Sequence, residues 1–332
     1  MNLHTRIKVL NSLGDYLQQE QESYKEAQQR AWAENKWFIP SYISLSGKSI
    51  ASEMLQSKKL EEVCNLYQIP DQQEHPQTIG LVMAGNIPFV GLQDLICVFL
   101  AGHQLKIKLS SKDTILIHNL VKALTEQYPE ITQWITIQDM LKDCDAYIAT
   151  GSDNSARYFE YYFGKYPNII RKNRTSVAIL DGSETNDELE NLADDIHLYF
   201  GLGCRNVTQI WVPNEYDFVP LLGALRKYDH YKDHDKYKNN FDYQLTIAIM
   251  NNRFYMSNDS IVLIENESPF SPISQLHYQY YTDYAEVKKK LDENKIQCIV
   301  GKDFTPFGKA QQPSLTDFPD GVDTLDFLKK LT

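Results

Sequence analysis

The sequence predicts a two-lobed α/β fold with mostly parallel sheets and an N-terminal helical segment. Three times between residues 78 and 163, a short apolar run is followed by a polar turn and then by a helical pattern. This repeated order of strand, turn and helix is typical of a parallel sheet with helices on its faces. At 332 residues the chain exceeds the ~250–300 residues at which a single core usually stops growing, so we expect two lobes.

The chain divides into three predicted segments. Residues 1–70 have helical periodicity and are expected to form a helical segment packed on the body. Residues 71–172 contain the three strand–turn–helix units and are predicted to form the first α/β domain. Residues 173–332 are predicted to form a second α/β domain that carries Cys204.

The composition indicates a folded, acidic protein with a small-molecule site. Hydrophobic residues make up 42% of the chain and aromatic residues 12%, which is typical of a compact protein. The net charge of -11 disfavours nucleic acid and acidic membranes as partners, because both repel an anionic protein. We therefore expect no nucleic-acid partner.

The five cysteines are odd in number and far apart, without the paired spacing of a zinc site or a disulfide framework. The sequence therefore predicts no metal site and a reducing cytoplasm as the location. The N-terminus has no continuous apolar segment like that of a signal peptide. Polar residues interrupt the most apolar stretch, residues 79–102, so we expect no membrane span.

The periodicity predicts most of the helices and strands. In the first lobe we predict a strand at 78–84, a helix from Pro88 to Gly102, a strand at 104–109, a helix around 115–124, strands at 134–137 and 145–149, and an aromatic helix around 158–163. In the second we predict strands at 168–170 and 176–180, a helix at 187–199, a strand at 207–212, a helix at 216–231, a strand at 261–264, a charged helix ending at Asn294, a strand at 296–300 and a short helix at 323–331. The charges of residues 226–238 nearly cancel, which is typical of a solvated helix face.

Cys204 lies between a predicted helix and a predicted strand. Gly201 and Gly203 precede it and free the backbone at this junction. A side chain held at the edge of a sheet is accessible to a ligand, as a nucleophile must be. The alternative is that Cys204 is a small buried hydrophobe, which is the usual state of a cysteine that forms no disulfide.

Four motifs at predicted strand ends resemble the aldehyde dehydrogenase superfamily, and most closely its fatty-acyl-CoA reductase branch, the LuxC family. They are Ala84-Gly-Asn-Ile-Pro88, Lys106-Ile-Lys-Leu-Ser-Ser111, Ala149-Thr-Gly-Ser152 and Gly201-Leu-Gly-Cys204. They occur in the superfamily's order, and the resemblance extends from about Trp37 to Val212. It implies an aldehyde-dehydrogenase-like fold with two Rossmann-like lobes, in which residues 71–172 bind NADP(H).

The resemblance also implies a catalytic pair. Cys204 would attack a thioester carbonyl, and the Asn86 side-chain amide and the Cys204 backbone N–H would bind the oxyanion. A helix C-terminus just before Cys204 would oppose a thiolate, with Arg205 and Asn86 as compensation, and we expect a modestly lowered thiol pKa. The alternative for Asn86 is an ordinary cap on a helix starting at Pro88.

The implied cofactor is NADPH. The residues implied to bind it are Ala84, Gly85, Lys108, Ser110, Ser111, Thr150, Gly151 and Ser152. Lys108 would contact a ribose, although it could be a simple strand-end lysine. Ser152 would begin a helix whose N-terminus suits a pyrophosphate, or act as a plain N-cap. Ser111 stands where many NAD-preferring relatives carry a glutamate. Without that carboxylate, the site favours a cofactor with a ribose 2′-phosphate.

The segment before Cys204 lacks a general base. Residues 164–180 contain no Asp or Glu, whereas the oxidising aldehyde dehydrogenases carry a glutamate there to activate water. The resemblance therefore favours reduction of an acyl-CoA, which needs no such water. The basic residues of this stretch are Lys165, Arg171, Lys172 and Arg174. They would contact CoA phosphates or form a solvated basic edge.

Partners and alternatives complete the predictions. We expect an acyl-CoA substrate, an acyl-donor protein and a homo-oligomer. The aromatic runs at 158–163 and 278–284 would line an acyl tunnel or, more simply, pack in the core. Three other functions stay open: a non-catalytic scaffolding relative of the same fold, an oxidising aldehyde dehydrogenase, and a cysteine hydrolase, which would need a histidine base beside Cys204.

Overall fold

The computed structural model describes residues 1–292 and 294–331. Glu293, which falls in the predicted charged helix, and Thr332, at the end of the predicted second domain, lie outside the described residues. The chain forms two compact units. Unit 1 comprises Met1–Asn173 with Gln312–Thr332, and unit 2 comprises Arg174–Gln311.

Unit 1 is built on a five-stranded parallel sheet with the order β3-β2-β1-β4-β5. Its strands are β1 Thr78–Val82, β2 Gln104–Lys108, β3 Ile135–Ile137, β4 Ala146–Thr150 and β5 Asn168–Arg171. Its helices are α1 Leu3–Gln19, α2 Glu22–Glu34, α3 Pro40–Glu53, α4 Ser57–Tyr67, α5 Leu92–Leu100, α6 Ile115–Gln127, α7 Asp153–Phe163 and α12 Thr324–Lys329, with short 3₁₀ turns at Pro129–Gln133 and Pro319–Gly321.

The N-terminal helices are part of the unit 1 core. Leu10, Leu13 and Leu17 on one face of α1 are buried in the same hydrophobic cluster as β1 and α5. Arg6 on the same helix is also buried, and its guanidinium donates to the carbonyls of Leu100, Met1, Pro70 and Asp71 at 2.8 to 3.3 Å. Because a buried cation needs such partners, Arg6 fixes α1 to α5 and to the linker before β1.

The C-terminal stretch packs in unit 1, whereas the sequence placed it in the second domain. Asp94 on α5 forms a buried ion pair with Arg171 at the end of β5. The Arg171 guanidinium also donates to the Thr324 hydroxyl at 2.9 Å, and this hydroxyl donates to Asp94 at 3.2 Å. This buried network holds α12 against α5, which explains why the chain returns to unit 1.

Unit 2 contains a six-stranded sheet with the order β11-β6-β7-β10-β9-β8, in which the β8–β9 pair alone among the described pairs is antiparallel. Its strands are β6 Thr175–Ile179, β7 Val207–Pro213, β8 Met256–Ser257, β9 Val262–Glu265, β10 Gln275–Tyr281 and β11 Ile296–Val300. Its helices are α8 Asn186–His197, α9 Phe218–Leu225, α10 Asp235–Met250 and α11 Tyr284–Lys290, with 3₁₀ segments at Leu198–Gly201 and Arg226–Asp233.

Local signals explain where the elements of unit 2 begin and end. Helix α8 starts with a capping box, in which the Thr185 side chain accepts from the Glu188 N–H and the Glu188 carboxylate accepts from the Thr185 N–H. The predicted helix at 216–231 ends at Leu225 and continues as a 3₁₀ segment, because Tyr228 and Tyr231 turn inward to pack beside α8. The sequence analysis did not identify α10 as a separate helix.

One helix of unit 1 begins later than the sequence predicts. The helix expected from Pro88 starts at Leu92, because Phe89 and Gly91 have positive φ angles of 66° and 91° that are incompatible with a helix. Residues 83–91 therefore form an extended loop at the end of β1. Throughout residues 1–292 and 294–331, each helix is too short or too polar to cross a bilayer.

Candidate functional site

The predicted nucleotide-binding residues lie along one edge of the unit 1 sheet. Ala84 and Gly85 follow β1, Lys108 ends β2 and is followed by Ser110 and Ser111, and Thr150 ends β4. In parallel strands these ends share the carboxyl edge of the sheet. The strand order reverses between β1 and β4, and ligands of open α/β sheets bind outside the carboxyl edge at such a point.

The loops after β1 and β2 are in close contact. The Met83 N–H donates to the Lys108 carbonyl at 3.0 Å, which extends the pairing of the two strands. A Cβ atom on Gly85 would lie 2.8 Å from the Ser110 Oγ and 3.1 Å from the Lys112 Cβ. A side chain at Gly85 would therefore force the loop after β2 to shift, so backbone packs closely between these two loops.

Asn86 lies on an exposed part of the loop after β1 and does not cap a helix. Helix α5 begins six residues later, at Leu92, with Gly91 at its N-cap and no side-chain cap, so the alternative role of Asn86 as a cap is wrong. The loop beyond Asn86 is fixed by the buried Asp113 carboxylate, which accepts from the Phe89 N–H at 3.0 Å. The Ser46 hydroxyl donates to the Pro88 carbonyl at 3.2 Å.

Asp113 is a buried carboxyl group. Burial raises its pKa to about 7, although the backbone N–H groups of Phe89 and Leu116 favour the charged form. Desolvation outweighs these bonds because the side chain is almost inaccessible to water. The loop that carries Asn86 is therefore anchored by a group that titrates near neutral pH.

Thr150, Gly151 and Ser152 connect β4 to helix α7. Ser152 is the N-cap of α7, and its hydroxyl accepts from the Ser155 N–H at 3.4 Å. The first turn of α7 already carries a carboxylate, Asp153, which accepts from the Asn173 N–H at 3.2 Å. This charge competes with an anion at the helix N-terminus, so Ser152 is the N-cap that the sequence analysis kept as an alternative.

The donor set at the end of β2 suits the ribose and phosphate groups of a nucleotide. Lys108, Ser111 and Lys112 are exposed there, and ammonium and hydroxyl groups are the donors that ribose and phosphate oxygens require. The Ser110 Oγ is partly committed, since it accepts from the Lys112 N–H at 3.2 Å. The residues present fit the ribose and phosphate end of such a nucleotide.

Cys204 lies in unit 2 at the tip of a β-turn formed by residues 203–206. The Asn206 N–H donates to the Gly203 carbonyl at 3.0 Å and closes the turn. Cys204 is exposed, so its alternative interpretation as a small buried hydrophobe is wrong. The turn precedes β7, and Cys204 is therefore at the amino edge of its sheet, whereas the unit 1 residues follow their strands.

Two buried side chains that the sequence analysis did not identify hold this turn. The Asn206 Oδ1 accepts from the Gly203 N–H at 2.8 Å, and its Nδ2 donates to the carbonyls of Asp195, Ile196 and Leu198 at 2.9 to 3.3 Å. The Ser176 hydroxyl on β6 donates to the Cys204 carbonyl at 3.0 Å. No periodicity or motif marks these residues, because their role depends on contacts between β6, β7 and the end of α8.

The backbone between α8 and Cys204 is strained. Tyr199 and Phe200 have φ angles of 56° and 58°, a left-handed conformation that costs an L-residue about 1–2 kcal/mol. Phe200 is buried against Tyr231, with ring centroids 4.6 Å apart, and the Tyr231 hydroxyl donates to the His197 carbonyl at 2.8 Å. Such strain persists where surrounding contacts over-determine it, and it is concentrated at functional sites.

A partly buried thiol, Cys298, and a buried carboxyl group, Asp195, lie near the turn. The Cys298 Sγ is 3.1 Å from the Ser176 Oγ, and burial raises the pKa of its thiol, so it donates to this oxygen. Asp195 on α8 accepts from the Gly308 and Ala310 N–H groups at 2.6 and 3.0 Å. Burial raises the pKa of Asp195 to about 7 despite these two bonds.

The basic cluster near β5 divides into different environments. Arg171 is buried with Asp94, so the prediction that it contacts CoA phosphates is wrong. Lys172 pairs with Glu160 at 2.9 Å on the surface, and the partly buried Arg174 donates to the Ile296 carbonyl at 3.1 Å. Lys165 is exposed with its ammonium over the Tyr166 ring.

The aromatic runs are also divided. Tyr158, Tyr161 and Tyr162 on α7 are exposed, so core packing, the simpler prediction, does not describe them. In the second run Tyr278 and Tyr281 are buried in unit 2, as core packing predicts.

In the described parts of the chain, no three His, Cys, Asp or Glu side chains are arranged to hold a metal ion.

Solved structures share the fold of the chain at low sequence identity. An oxidoreductase from Marinobacter aquaeolei is 13% identical with a TM-score of 0.65, covering 90% of this chain and 73% of its own. The indole-3-acetaldehyde dehydrogenase AldA of P. syringae, in complex with NAD+ and IAA, is 11% identical with a TM-score of 0.67, covering 90% and 72%. An aldehyde dehydrogenase of Mycobacterium tuberculosis complexed with NAD+ is 12% identical with a TM-score of 0.64, covering 87% and 71%.

These similarities show that the chain has an aldehyde-dehydrogenase-like fold, as the sequence predicted. No model of a known protein family matches the sequence, and no curated protein matches it. At these identities the likeness concerns the fold, and the roles of individual residues depend on the chemistry of the site.

Proposed function

We propose that this protein reduces an acyl-CoA thioester to an aldehyde with NADPH, through an acyl group carried on Cys204. The observation that carries the proposal is the position of Cys204, exposed at the tip of a turn that buried side chains hold in place. Cys64, Cys97 and Cys144 are buried and Cys298 is partly buried. Among the five cysteines, all within the described ranges, Cys204 has the accessibility that a nucleophile needs.

In the first step the Cys204 thiolate attacks the thioester carbonyl carbon, and the carbonyl π electrons move to oxygen. The Cys204 N–H and the Asn86 amide are the proposed donors to this oxyanion. When the carbonyl re-forms, the carbon–sulfur bond to CoA breaks and CoA leaves as a thiolate. One thioester has been exchanged for another, so no water and no general base are required.

In the second step the acyl-Cys204 thioester is reduced. A bound NADPH would supply the hydride for this carbonyl carbon, and the Asn86 amide and the Cys204 N–H would stabilise the hemithioacetal oxygen. The carbon–sulfur bond to Cys204 then breaks, releasing the aldehyde and regenerating the thiolate. The balance is one acyl-CoA, one NADPH and one proton converted to one aldehyde, one CoA thiol and one NADP+.

The positions of two carboxylates of unit 2, Asp181 and Asp195, support reduction over oxidation. Asp181, the first acidic residue after the acid-free segment 164–180, follows the carboxyl end of β6, whereas Cys204 precedes β7. In adjacent parallel strands these positions are separated by at least the five residues of β6, or at least about 16 Å at roughly 3.3 Å per residue. Asp195 is buried, and both its oxygens accept backbone N–H groups. Neither is placed to activate water at a Cys204 thioester.

The preference for NADPH follows from the charge at the end of β2. Lys108, Ser111 and Lys112 are exposed there, and Ser111 occupies the position at which a carboxylate would select a ribose 2′-hydroxyl. Cations and hydroxyls instead attract a 2′-phosphate. We expect kcat/KM for NADPH to exceed that for NADH by at least about tenfold, which is the effect of ~1.4 kcal/mol. Equal values or a preference for NADH would refute this assignment.

The acyl donor and the assembly are part of the same proposal. We propose acyl-CoA as the substrate and a homo-oligomer as the working form, with an acyl carrier protein as the alternative donor. Comparing acyl-CoA with the same acyl group on a carrier protein, at equal concentrations, identifies the donor by the larger kcat/KM. Light scattering of the purified protein measures the assembly.

The decisive experiment is NADPH oxidation with a panel of acyl-CoAs of increasing chain length, with detection of the aldehyde. Mass spectrometry without NADPH should find one acyl group on the peptide containing Cys204. Cys204→Ala should abolish both signals, whereas Cys64→Ala, at a buried cysteine in unit 1, should retain them. The proposal fails if no acyl adduct forms, or if the protein oxidises aldehydes to free acids without forming aldehyde from acyl-CoA.

A further inference from the structure

The turn that carries Cys204 is fixed on both sides of the nucleophile. Gly203 makes both of its backbone hydrogen bonds to Asn206: its N–H donates to the Asn206 Oδ1 at 2.8 Å, and its carbonyl accepts from the Asn206 N–H at 3.0 Å. On the other side, the Cys204 carbonyl accepts from the Ser176 hydroxyl at 3.0 Å. The two peptide groups that flank the Cys204 Cα are therefore both held by identified partners.

These contacts set the direction of the Cys204 N–H. A trans peptide is planar, and its C=O and N–H point in opposite directions. Because the Gly203 carbonyl points toward the Asn206 backbone, the N–H of Cys204 in the same peptide points away from it. Cys204 is exposed at the tip of the turn, so this direction leads out of the turn.

Asn206 is itself fixed by the surrounding structure. It is fully buried, and its Nδ2 donates to the carbonyls of Asp195, Ile196 and Leu198 where α8 ends. Its own carbonyl accepts from the Ser176 N–H at 3.1 Å in the β6–β7 pairing. The amide thus joins the end of α8, the start of β7 and the Cys204 turn, and its conformation cannot change without breaking several hydrogen bonds.

Ser176 is oriented in the same way. The Cys298 N–H donates to the Ser176 Oγ at 3.2 Å, and the Cys298 thiol lies 3.1 Å from the same oxygen. With these donors on its lone pairs, the hydroxyl directs its own hydrogen at the Cys204 carbonyl. The chain of bonds from β11 through Ser176 to the turn is buried or nearly so.

We propose that Asn206 and Ser176 are positioning residues, which orient the peptide groups around Cys204 so that its N–H is aimed at the oxyanion of the reacting carbonyl. The inference rests on the proposed role of Cys204 as the acyl-carrying nucleophile, and it adds the residues that aim the backbone donor. Pre-organised donors are effective because they need no reorientation during the reaction.

Two chemical probes separate this role from thiol reactivity. With p-nitrophenyl acetate, the Cys204 thiolate forms a bond to the acyl carbon, the carbon–oxygen bond breaks, and p-nitrophenolate leaves; the reaction passes through an oxyanion. With iodoacetamide, the thiolate displaces iodide at a saturated carbon and no oxyanion forms. Neither probe needs NADPH or CoA, so both report on the turn even if the protein does not reduce acyl-CoA.

The variants are Asn206→Ala and Ser176→Ala, with Asn258→Ala as the matched control. Asn258 is another buried asparagine of unit 2 that holds a loop: its Nδ2 donates to the Leu222 carbonyl at 3.2 Å, and its Oδ1 accepts from the Ser260 and Ile261 N–H groups. Its replacement should cost comparable stability without changing the Cys204 turn. Circular dichroism and thermal unfolding establish which variants are folded.

We expect Asn206→Ala to slow acylation of Cys204 by up to about 100-fold, the effect of misplacing a reacting group by about 1 Å. Ser176→Ala, which removes one hydrogen bond, should slow it about fivefold. Alkylation by iodoacetamide, followed on the Cys204 peptide by mass spectrometry, should change less than about threefold, because it develops no oxyanion. Asn258→Ala should match the wild type in both rates.

Each contrary outcome has a definite meaning. If alkylation falls as much as acylation, the residues act on the thiol and the inference is wrong. The inference is also wrong if the folded variants are acylated on Cys204 at the wild-type rate. If Asn206→Ala does not fold, the same comparison is made with Ser176→Ala. A wild-type protein that acylates Cys204 but does not oxidise NADPH refutes the proposed function alone, whereas one that does not acylate refutes both.

Discussion

At the carboxyl edge of the unit 1 sheet the strand ends are joined by backbone contacts, and the buried Asp113 and Ser46 side chains anchor the loop after β1. The Cys204 turn of unit 2 is held by the side chains of Asn206 and Ser176. In unit 1 the Met83 N–H extends the β1–β2 pairing, and Gly85 lies against Ser110 with no room for a Cβ atom. In unit 2 the Asn206 amide and the Ser176 hydroxyl bind the backbone of the turn directly.

The difference shows which positions are set by the fold and which by individual side chains. The ends of β1, β2 and β4 lie together because parallel strands align their carboxyl edges, whatever residues follow them. The Cys204 turn has no such constraint, and the strained Tyr199 and Phe200 just before it require specific packing. Substitutions in unit 1 loops should therefore affect ligands, and those in the Cys204 turn should affect the geometry of the nucleophile.

The first prediction concerns Asn86, whose side chain is exposed in the loop after β1. Asn86→Ala should lower kcat for acyl-CoA reduction by about 100- to 1,000-fold, the usual effect of losing one oxyanion donor. The free energy of unfolding should change by less than about 1 kcal/mol, because the residue is exposed. Asn239→Ala, at an exposed position on α10, is the control and should leave kcat unchanged. A wild-type kcat in Asn86→Ala would remove Asn86 from the site.

The carboxyl edge of the unit 1 sheet could be predicted from the sequence because its elements repeat. Each apolar run followed by a polar turn predicts a buried strand and the start of a helix, and β1, β2 and β4 are found at the expected positions. The predicted start of α5 at Pro88 was wrong, since the positive φ of Phe89 depends on the distant Asp113. A contact between residues far apart in sequence leaves no local signal.

For the same reason, the side chains that hold the Cys204 turn could not be predicted from the sequence. The exposed Cys204 was identified as the candidate nucleophile from its glycines and from the resemblance to a family. Asn206 and Ser176 were not, because an asparagine and a serine next to strands have no distinctive pattern. Arg171 shows the opposite error. Its position in a basic stretch suggested a contact with CoA phosphates, whereas its burial beside Asp94 shows that it forms a structural ion pair.

The second prediction compares the two buried carboxyl groups, Asp113 in unit 1 and Asp195 in unit 2, both of which have a pKa raised to about 7 by burial. A pKa raised above its unfolded value means that the folded state binds more protons. The stability contributed by the protonated group is complete below about pH 4 and is lost as the pH rises through about 7. Each group should therefore make the protein less stable at pH 8 than at pH 5.

Replacement by asparagine should separate these two groups. Asp113→Asn keeps an oxygen for the Phe89 N–H and carries no charge. The unfolding free energy of this variant should therefore decrease by about 2–4 kcal/mol less than that of the wild type when the pH rises from 4 to 7. Asp195→Asn should destabilise unit 2 at every pH. The NH2 group of the new side chain would face the N–H of Gly308 or Ala310, and two donors cannot form a hydrogen bond. Denaturant unfolding at several pH values measures both. An unchanged pH profile in Asp113→Asn would show that this carboxyl group titrates normally.

The third prediction tests the close contact between the loops of unit 1. Gly85→Ala would bring a methyl group within 2.8 Å of the Ser110 Oγ, so the loops must separate, and we expect a loss of about 1–3 kcal/mol in unfolding free energy. The displaced loops should also raise KM for NADPH while kcat changes little. This result would show that backbone packing at the strand ends, and not the Cys204 turn, limits nucleotide affinity.

Gly223→Ala provides the matched control, because a Cβ atom there meets nothing within 4 Å and the residue lies within helix α9. The substitution should stabilise the protein by up to about 1 kcal/mol through the reduced entropy of the unfolded chain. Thermal unfolding of the two variants should therefore shift in opposite directions. If Gly85→Ala is as stable as the wild type and binds NADPH equally well, the loops after β1 and β2 adapt to side chains. The contrast between strand ends joined by backbone contacts and a side-chain-held turn would then be wrong for unit 1.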